Sequence, residues 1–305
     1  MTTLSQMIDE VLINLSGYTY QQDRSTYLRT AVNTLTSPST SPTILSLGDT
    51  SNVGKGILEV DEELMWVDSF DRVGNTATVA PYGRGYLGTP AATHAADAKV
   101  TISPIFPRYV IKKAINDTIR AMGASLLSVK QTTFTFNAAI NTYEFQDLAI
   151  ENILTMSWQD TGPSKEWIRI KRWDFDPLAD VDTWGSNSQT VTIYDWITPG
   201  RTVKVMYATP PTPMENSTDV FTTTTGYPES ARDIVILGTS YRLLAYLDPA
   251  RAGQISPQAD ETDGKRPYGA SASATKQLFA LYSQRLNEEV ATQQNQYPPR
   301  IHYTR

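Results

Sequence analysis

Four stretches of the chain repeat apolar residues at three- and four-residue steps, which is the spacing of one face of an α-helix. The clearest stripe begins after Pro107, a residue type that favours the first turn of a helix. The predicted helices lie near 3–15, 107–127, 229–247 and 272–291. The stripe of the last helix is the weakest and consists of Leu278, Leu281, Tyr282, Leu286 and Val290. We interpret all four stripes as faces that pack into a core.

Two β-rich blocks separate the helices. In 43–103, four short strands joined by turns indicate a small barrel or sandwich; they are "GILEV" (56–60), "ELMWVDSF" (63–70), "TATVA" (76–80) and "KVTI" (99–102). In 131–209, the predicted strands are "QTTFTFN", "TYEF", "ILTMSW", "EWIRIKRW", "QTVTIYDW" and "RTVKVMYA". The segment "EWIRIKRW" alternates apolar and polar residues as one half-buried antiparallel strand does.

The order helix, β block, helix, β block, two helices indicates an α+β fold, in which a helical body carries two inserted antiparallel β domains. The predicted division is 1–42 for the N-terminal part of the helical body, 43–103 for the small β barrel or sandwich, 104–130 for the central helix, 131–212 for the second β domain, 213–294 for the C-terminal helices and 295–305 for an extended C-terminal tail. Within the C-terminal helices, 249–275 is polar and rich in Gly, Pro and Ser. It is predicted to be a long loop that is functional or becomes ordered on binding.

Composition excludes several kinds of chemistry. The 305 residues include no cysteine and two histidines, which excludes disulfides, thiolate metal sites, a cysteine nucleophile and a three-histidine centre. We therefore expect no metal and no cofactor. The N-terminal segment lacks the basic region of a signal peptide, and no apolar run approaches the ~18 residues of a spanning helix, so we expect a soluble protein made in the cytoplasm. The net charge of −6 disfavours tight binding of nucleic acid.

The G-x-G-x-x-G formed by Gly83, Gly85 and Gly88 is the closest approach to a catalytic motif. A dinucleotide-binding loop needs a helix directly after the glycines, but Pro90 and the strand at Lys99 leave room for barely two turns. We interpret the glycines as parts of a tight loop that needs positive φ angles.

Other candidate motifs are also incomplete. "GDTSNVGKG" (48–56) departs from a P-loop at both ends, and "DFDPLADVD" (174–182) lacks the glycine and the third ligand of a calcium loop. The latter is interpreted as a solvated loop whose aspartates cap a short helix. "DEE" (61–63) is interpreted as a turn between strands, and His94 as a residue that packs within a loop. No enzyme is predicted, and no residue is assigned a catalytic role.

The same glycine-rich stretch resembles a β module found in structural proteins of tailed phages. The pattern is an acidic turn with E-x-M-x-V, then R-G-x-x-G-T-x-A-x-x-H before a final strand. The matching positions are Glu63, Met65, Val67, Arg84, Gly85, Gly88, Thr89, Ala91, His94 and Val100, whereas Asp97 departs from a glycine-type position. The resemblance marks Arg84, Gly85, Gly88, Thr89 and His94 as the loop of the module.

The architecture and length of the whole chain resemble the head-to-tail adaptor proteins, also called connector or neck proteins, of tailed bacteriophages. This resemblance implies a structural virion protein of the neck, between the capsid vertex and the tail. Such proteins form a ring, usually of about twelve copies, beneath the portal. The ring continues the DNA channel, through which double-stranded DNA passes without specific binding, and it is a platform for the next neck, tail or fibre protein. An acidic balance suits such a channel wall, since phosphate contacts would retain the DNA.

The C-terminal tail is the segment most suited to docking on the portal. Its two prolines favour an extended form, and its apolar side chains could alternate into pockets, while its arginines could meet an acidic edge. The predicted docking residues are Tyr297, Pro298, Pro299, Arg300, Ile301, Tyr303 and Arg305. A frayed terminus is the alternative interpretation of this segment.

Two other functions remain open from the sequence. A minor tail or fibre protein could use the aromatic-rich block 131–209, which holds five of the six tryptophans, to bind a receptor or a sugar, although core packing explains most of these rings. A hydrolase using pairs of Asp and Glu residues lacks any positioned motif.

Overall fold

A computed structural model describes residues 2–17, 24–33, 40–146, 148–162, 165–184, 188–245 and 270–297. The fold is α+β, with helices and sheets in which every described strand pairing is antiparallel. The chain divides into two compact units. One comprises Met1–Leu4, Asn116–Val235 and Ala280–Arg305, and the other Ser5–Ile115 and Ile236–Phe279.

The described helices are α1 Leu4–Ser16, α2 Arg108–Met122, α3 Val181–Trp184, α4 Phe221–Thr225, α5 Arg232–Ala245 and α6 Ala270–Gln296. The four long ones lie where the apolar stripes predict helices. Helix α6 begins earlier than predicted, so the assignment of 270–275 to a loop is wrong, and the remainder of that loop, 249–269, lies outside the described residues. The alternation of alanine and serine in 270–274 looks like loop composition, yet alanine has the highest helix propensity of all residues.

A six-stranded sheet forms a closed barrel in the second unit. Its strands are β1 Arg24–Tyr27, β2 Thr43–Ser46, β3 Gly56–Val60, β4 Glu63–Asp71, β5 Thr76–Val79 and β6 Lys99–Ile102, in the order β1-β6-β3-β4-β5-β2. The two outer strands meet through a bridge between Leu28 and Leu47, where the N–H of Arg29 donates to the carbonyl of Ser46 at 2.8 Å. This bridge joins the two edges of the sheet, and the apolar core lies inside; it includes Leu45, Leu58, Val60, Met65, Val67, Val79 and Val100.

Strand β1 belongs to the barrel, which differs from the prediction that 1–42 is part of the helical body. The segment "RSTY" has no apolar alternation, and its partner β6 comes more than seventy residues later. A strand of four residues at such a distance from its partner leaves no local signal. The predicted β3 to β6, in contrast, lie within one residue of their predicted bounds.

Two sheets that share one core form a β sandwich in the first unit. The strands are β7 Ser128–Thr135, β8 Thr142–Gln146, β9 Asn152–Gln159, β10 Trp167–Arg169, β11 Trp173–Asp176, β12 Ser188–Ile193 and β13 Thr202–Thr209. One sheet has the order β10-β9-β13-β7 and the other β11-β12-β8. Their inner faces meet in one cluster that includes Phe136, Tyr143, Met156, Trp173, Val191, Val203 and Val205.

The prediction of one strand for "EWIRIKRW" is wrong, because this segment passes from one sheet of the sandwich to the other. Strand β10 pairs with β9, and β11 pairs with β12. Between them, the carboxylate of Asp195 accepts the N–H groups of Lys171 at 2.5 Å and Arg172 at 3.1 Å. An acceptor that takes two successive backbone donors holds a corner, which alternation alone does not reveal.

Polar side chains hold the C-terminal half of α6 within the first unit. Arg285 pairs with Asp233 at 2.8 Å, Glu289 accepts from the hydroxyl of Ser230 at 2.7 Å, and the amide of Gln293 bonds both backbone groups of Leu127 at 2.7 Å. The spacing of four residues places all three on one helix face.

The predicted apolar stripe of α6 is only partly correct. Leu278 and Tyr282 are buried, but Leu281 is 43% exposed.

Candidate functional site

The resemblance to the phage module falls on one end of the barrel, where β3 turns into β4 and where β5 leads into the loop 80–98 before β6. In this loop, Gly85 and Gly88 have φ angles of 63° and 79°, as the tight-loop interpretation predicts. Gly83 is required for a different reason, since a Cβ there would lie 2.8 Å from the carbonyl oxygen of Ala80 and 2.9 Å from that of Trp66. Each glycine thus serves the backbone of the loop.

A bidentate ion pair lies beneath this loop. Nε of Arg84 is 2.6 Å from Oε1 of Glu63, and Nη2 is 2.7 Å from Oε2. The side chains are 1% and 0% exposed, respectively. Glu63 occupies the first position of β4 and alternates with the buried residues Met65 and Val67, so its carboxylate points into the protein. A buried charge is tolerated only when it is paired and hydrogen-bonded, as here.

The same carboxylate organises the backbone of the loop. Oε1 of Glu63 accepts the N–H of Gly85 at 3.0 Å, and Oε2 accepts the N–H of Ala92 at 2.9 Å. Nη2 of Arg84 also donates to the carbonyl of Ala92 at 2.6 Å. The hydroxyl of Thr89 accepts the N–H of Leu64 at 3.0 Å. The ion pair therefore ties both arms of the loop to the start of β4.

His94 joins a second carboxylate to the network. Its Nε2 lies 2.9 Å from Oε2 of Glu63, and its Nδ1 lies 2.7 Å from Oδ2 of Asp61. An ionised carboxylate only accepts hydrogen bonds, so a ring that bonds two ionised carboxylates donates from both nitrogens, as the imidazolium cation does. Burial acts to lower the pKa of His94, but hydrogen bonds to Asp61 and Glu63 outweigh it and raise the pKa above its ordinary value.

The pKa of Glu63 is lowered to about 2. Burial acts to raise it, yet the hydrogen bonds from Arg84, His94 and two backbone N–H groups have the larger effect. The backbone of His94 also pairs in both directions with Val32, at 2.8 and 3.0 Å. The network consequently connects the loop to the chain that follows β1, and its hydrogen bonds stabilise this end of the barrel.

The structure brings together four of the five residues that the resemblance marked: Arg84, Gly85, Thr89 and His94. Gly88 lies in the same loop, where its N–H donates to the carbonyl of Gly85 at 3.2 Å and its φ angle of 79° favours glycine. Among the other matches, Glu63 supplies the carboxylate of the ion pair, and Met65, Val67 and Val100 belong to the barrel core. Ala91 is half-buried in the loop. Asp97, the departure from the pattern, has a φ of 65°, so it takes the left-handed conformation in which a glycine-type residue is usual and Asp is tolerated.

Sequence reasoning did not select Glu63 and Asp61 as site residues, because it treated "DEE" as a turn. Asp61 does lie in the turn, with a φ of 54° and a side chain that is 57% exposed. The signal for Glu63 was its position two residues before Met65 in an alternating strand. His94 packs within the loop as predicted, but its two ring nitrogens lie against the carboxylates of Asp61 and Glu63.

The first two residues of the predicted extended tail, 295 and 296, are helical, because α6 runs to Gln296. Most of the remaining tail lies outside the described residues. Tyr297 is half-buried, and its N–H donates to the carbonyl of Gln293 at 2.8 Å. The other predicted docking residues, Pro298, Pro299, Arg300, Ile301, Tyr303 and Arg305, are not among those described. The described chain thus ends one turn after the Gln293 amide, which fixes the origin of the tail beside Leu127.

The tryptophans of the second β block occupy contrasting environments. Trp173 is buried in the sandwich core, whereas Trp196 is 95% exposed. In the aspartate-rich segment, Oδ1 of Asp180 accepts the backbone N–H of Asp182 at 3.4 Å at the start of α3, as the capping interpretation predicts. The other carboxylate oxygen accepts from the hydroxyl of Thr183 at 2.8 Å. Across the described ranges, no group of three or more His, Asp or Glu side chains could hold a metal ion.

No protein-family model matches the chain, and a comparison with curated proteins found no match. None of the helices in the described part of the chain is both long enough and apolar enough to cross a membrane.

Proposed function

We propose that this protein is a structural component of a tailed-phage virion, a head-to-tail adaptor that forms a ring beneath the portal. The observation that carries the proposal is the buried network of Glu63, Arg84 and His94. These positions match the phage module in the sequence, and in three dimensions they form one hydrogen-bonded unit. A chance match to the sequence pattern would not be expected to select residues whose side chains hydrogen-bond to one another in the fold.

The arrangement of this network favours a structural role over catalysis. Both oxygens of Glu63 are engaged by donors from the protein itself, and the side chains of Glu63, Arg84 and His94 are buried. A general acid or base needs access to a substrate proton. The proposal therefore includes no enzymatic activity and no cofactor.

In the proposed assembly, the long helices form a helical body that carries the barrel and the sandwich as two inserted domains. About twelve copies would surround the channel, with neighbouring subunits meeting through two different faces that close by rotation. The net charge of −6 supports a channel past which double-stranded DNA moves without being retained. The ring would lie in the neck and present a platform for the next neck, tail or fibre protein.

The tail 295–305 is proposed to dock on the portal. The anchored end of α6 supports this role, because the Gln293 amide holds the helix up to the point where the tail begins. A fixed origin lowers the entropy cost of placing a short extended segment on a partner.

The test is native mass spectrometry of the full chain, alone and mixed with the portal ring of the same phage. Binding of about twelve copies per portal is expected. A chain lacking 295–305 should retain its fold by circular dichroism and lose portal binding. Normal binding by this truncated chain would contradict the docking role of the tail, and a trimer indifferent to the portal would contradict the adaptor proposal.

One observation favours a second candidate, a fibre or minor tail protein that binds a receptor or a sugar. The indole of Trp196 is 95% exposed and Tyr194 is 58% exposed, on either side of Asp195, which holds the corner of the sandwich. Rigid exposed aromatic side chains are typical of binding hot spots. A Trp196→Ala variant that assembles on the portal but loses host-cell attachment would support this candidate.

A further inference from the structure

The two β folds differ in one respect that bears on assembly. The barrel closes through the bridge between Leu28 and Leu47 and so has no open edge. The four-stranded sheet of the sandwich has β7 at one edge and β10 at the other, and each pairs with one strand among those described. An open edge presents unpaired backbone N–H and C=O groups to other chains.

The hydrogen-bond alternation shows which groups of β7 point outward. The N–H of Phe136 donates to the carbonyl of Arg201 on the side of β13. The backbone N–H and C=O groups of the even-numbered residues of β7 therefore point towards β13. The backbone groups of the odd-numbered residues point away from β13, as the bond from the N–H of Val129 to the carbonyl of Gly226 confirms. The outward groups beyond this point belong to Gln131, Thr133 and Thr135.

This edge has few of the features that normally prevent pairing with other chains. Edge strands are usually protected by charged residues, proline, a bulge or short length. Strand β7 has eight residues and no proline, and its exposed side chains at 131, 133 and 135 are uncharged. Its one charged residue is Lys130, whose ammonium donates to the hydroxyl of Thr212 at 3.1 Å. The only bulge in its sheet lies between β13 and β9, at Met206 and Tyr207, among the described pairings of that sheet. The β-branched threonines favour an extended strand.

The opposite edge consists of the three residues of β10, one of which, Arg169, is charged. The N–H of Ile170 donates to the carbonyl of Met156, and the carbonyl of Glu166 accepts from Asp160, which assigns even positions to the side of β9. The backbone groups of Trp167 and Arg169 therefore point outward. Every residue of β10 is exposed.

The direction of the strands allows β7 and β10 of two copies of this chain to pair. Four antiparallel strands give edges that run in opposite directions. Rotation about a ring axis roughly parallel to the strands keeps these directions, so β7 of one copy meets β10 of the next in antiparallel order. The three-stranded sheet has β8 and β11 running in the same direction, and the same rotation would pair them in parallel.

We infer that β7 of one subunit pairs with β10 of its neighbour, and that this sheet continues from subunit to subunit around the ring. The inference rests on the proposed ring for its number of copies, but the strand pairing itself requires only self-association. The side chains of Thr133 and Trp167 lie on the same sheet face, because Thr133 is opposite Lys204 in register and the ammonium of Lys204 lies 4.3 Å from the Trp167 ring.

The first test removes one outward donor. Thr133→Pro deletes an N–H that has no partner in the isolated sheet, so the subunit should still fold, since proline is tolerated on edge strands. Thr133→Val, the control, keeps the N–H and the β-branched shape. Assembly, measured by native mass spectrometry with and without the portal ring, should fall roughly tenfold or more for the proline variant alone. Equal assembly of both variants, with unchanged circular dichroism, would overturn the inference.

The second test identifies the partner strand by cross-linking. The chain has no natural cysteine, so only the introduced thiols can react. Two mixtures are assembled and treated with a short bismaleimide. One contains separate Thr133→Cys and Arg169→Cys variants, and the other contains separate Thr133→Cys and Trp167→Cys variants. Heterodimers are expected. Val73→Cys, at an exposed barrel position, replaces the second partner as the control and should give none. Homodimers of the Thr133→Cys variant instead of heterodimers, or no cross-link within an assembled ring, would overturn the inference.

The outcomes also separate this inference from the adaptor proposal. Portal binding at about twelve copies without cross-linking contradicts the strand pairing and leaves the adaptor role intact. Cross-linked oligomers that ignore the portal support the pairing and contradict the adaptor role. A chain that stays monomeric in both settings contradicts both.

Discussion

The guanidinium of Arg84 and the carboxylate of Glu63 form a buried bidentate pair, with N–O distances of 2.6 and 2.7 Å. Twenty-one residues separate them in the chain, from the start of β4 to the loop after β5. Each group of the pair neutralises the charge of the other. The carboxylate of Glu63 also accepts the N–H groups of Gly85 and Ala92. This ion pair explains why Glu63 and Arg84 occur among the apolar residues of the barrel sequence.

Removing the charge of Glu63 should destabilise the barrel strongly. Glu63→Gln leaves the buried Arg84 without its counter-ion, and breaking a buried pair in this way costs about 3–5 kcal/mol. The control is Glu62→Gln, at the neighbouring position, where the carboxylate pairs with Lys112 at 2.8 Å in a more exposed setting. Water still reaches both of these charges, so that change should cost less than the loss of the fully buried pair. Urea unfolding followed by tryptophan fluorescence measures both, and equal effects would show that the buried pair has no special role.

The stability of the barrel should decrease as the pH rises above neutrality. The pKa of folded His94 lies above its ordinary value of 6.5, so the charged ring stabilises the fold fully below pH 6.5. This contribution is lost as the pH rises through the raised pKa. A difference of one pH unit between the folded and unfolded pKa values corresponds to about 1.4 kcal/mol.

Melting temperatures between about pH 6 and pH 9 test this effect, and a His94→Gln variant should show a flatter profile over that range. The groups that face the ring are the carboxylates of Asp61 and Glu63, and Arg84 acts through Glu63. Identical profiles for the variant and the native chain would contradict the assignment of a charged His94.

The glycines of the loop should differ in their tolerance of alanine. Gly88→Ala places a side chain in open space at a φ of 79°, a conformation that costs about 1–2 kcal/mol for a residue with a Cβ. Gly83→Ala pushes a Cβ against the carbonyl oxygens of Ala80 and Trp66 at 2.8 and 2.9 Å, and these backbone atoms cannot move aside cheaply. We expect the Gly83 variant to be the less stable of the two in chemical denaturation. The reverse order would contradict the steric argument.

The side chain of Gln293 should matter far more than that of its neighbour Gln294. Gln293→Ala removes the partner of both backbone groups of Leu127 in a part-buried position, at an expected cost of about 1–3 kcal/mol. Gln294 is exposed, so Gln294→Ala should be close to neutral. Hydrogen exchange of the Leu127 amide, with denaturant unfolding, compares the two variants. Unchanged protection at Leu127 in the Gln293 variant would refute the proposed anchor of α6.

Local patterns predicted the elements whose signals repeat within a few residues. The alternation of "GILEV" and "ELMWVDSF" located β3 and β4, and the apolar stripe after Pro107 located α2. Elements held by distant partners escaped prediction. The corner between β10 and β11 depends on Asp195, more than twenty residues away, and the C-terminal half of α6 depends on Asp233, Ser230 and Leu127.

The sequence by itself determined the α+β class, the bounds of most strands and helices, and the need for glycine in the loop at 83–88. These follow from backbone preferences and from periodicity, which act over a few neighbouring residues. Only the tertiary structure decided that "RSTY" completes a barrel. It also decided that Glu63, rather than a glycine, is the centre of the hydrogen-bond network under the loop. Barrel closure and a buried ion network require groups far apart in the chain to meet away from water, and that condition exists only once the chain has folded.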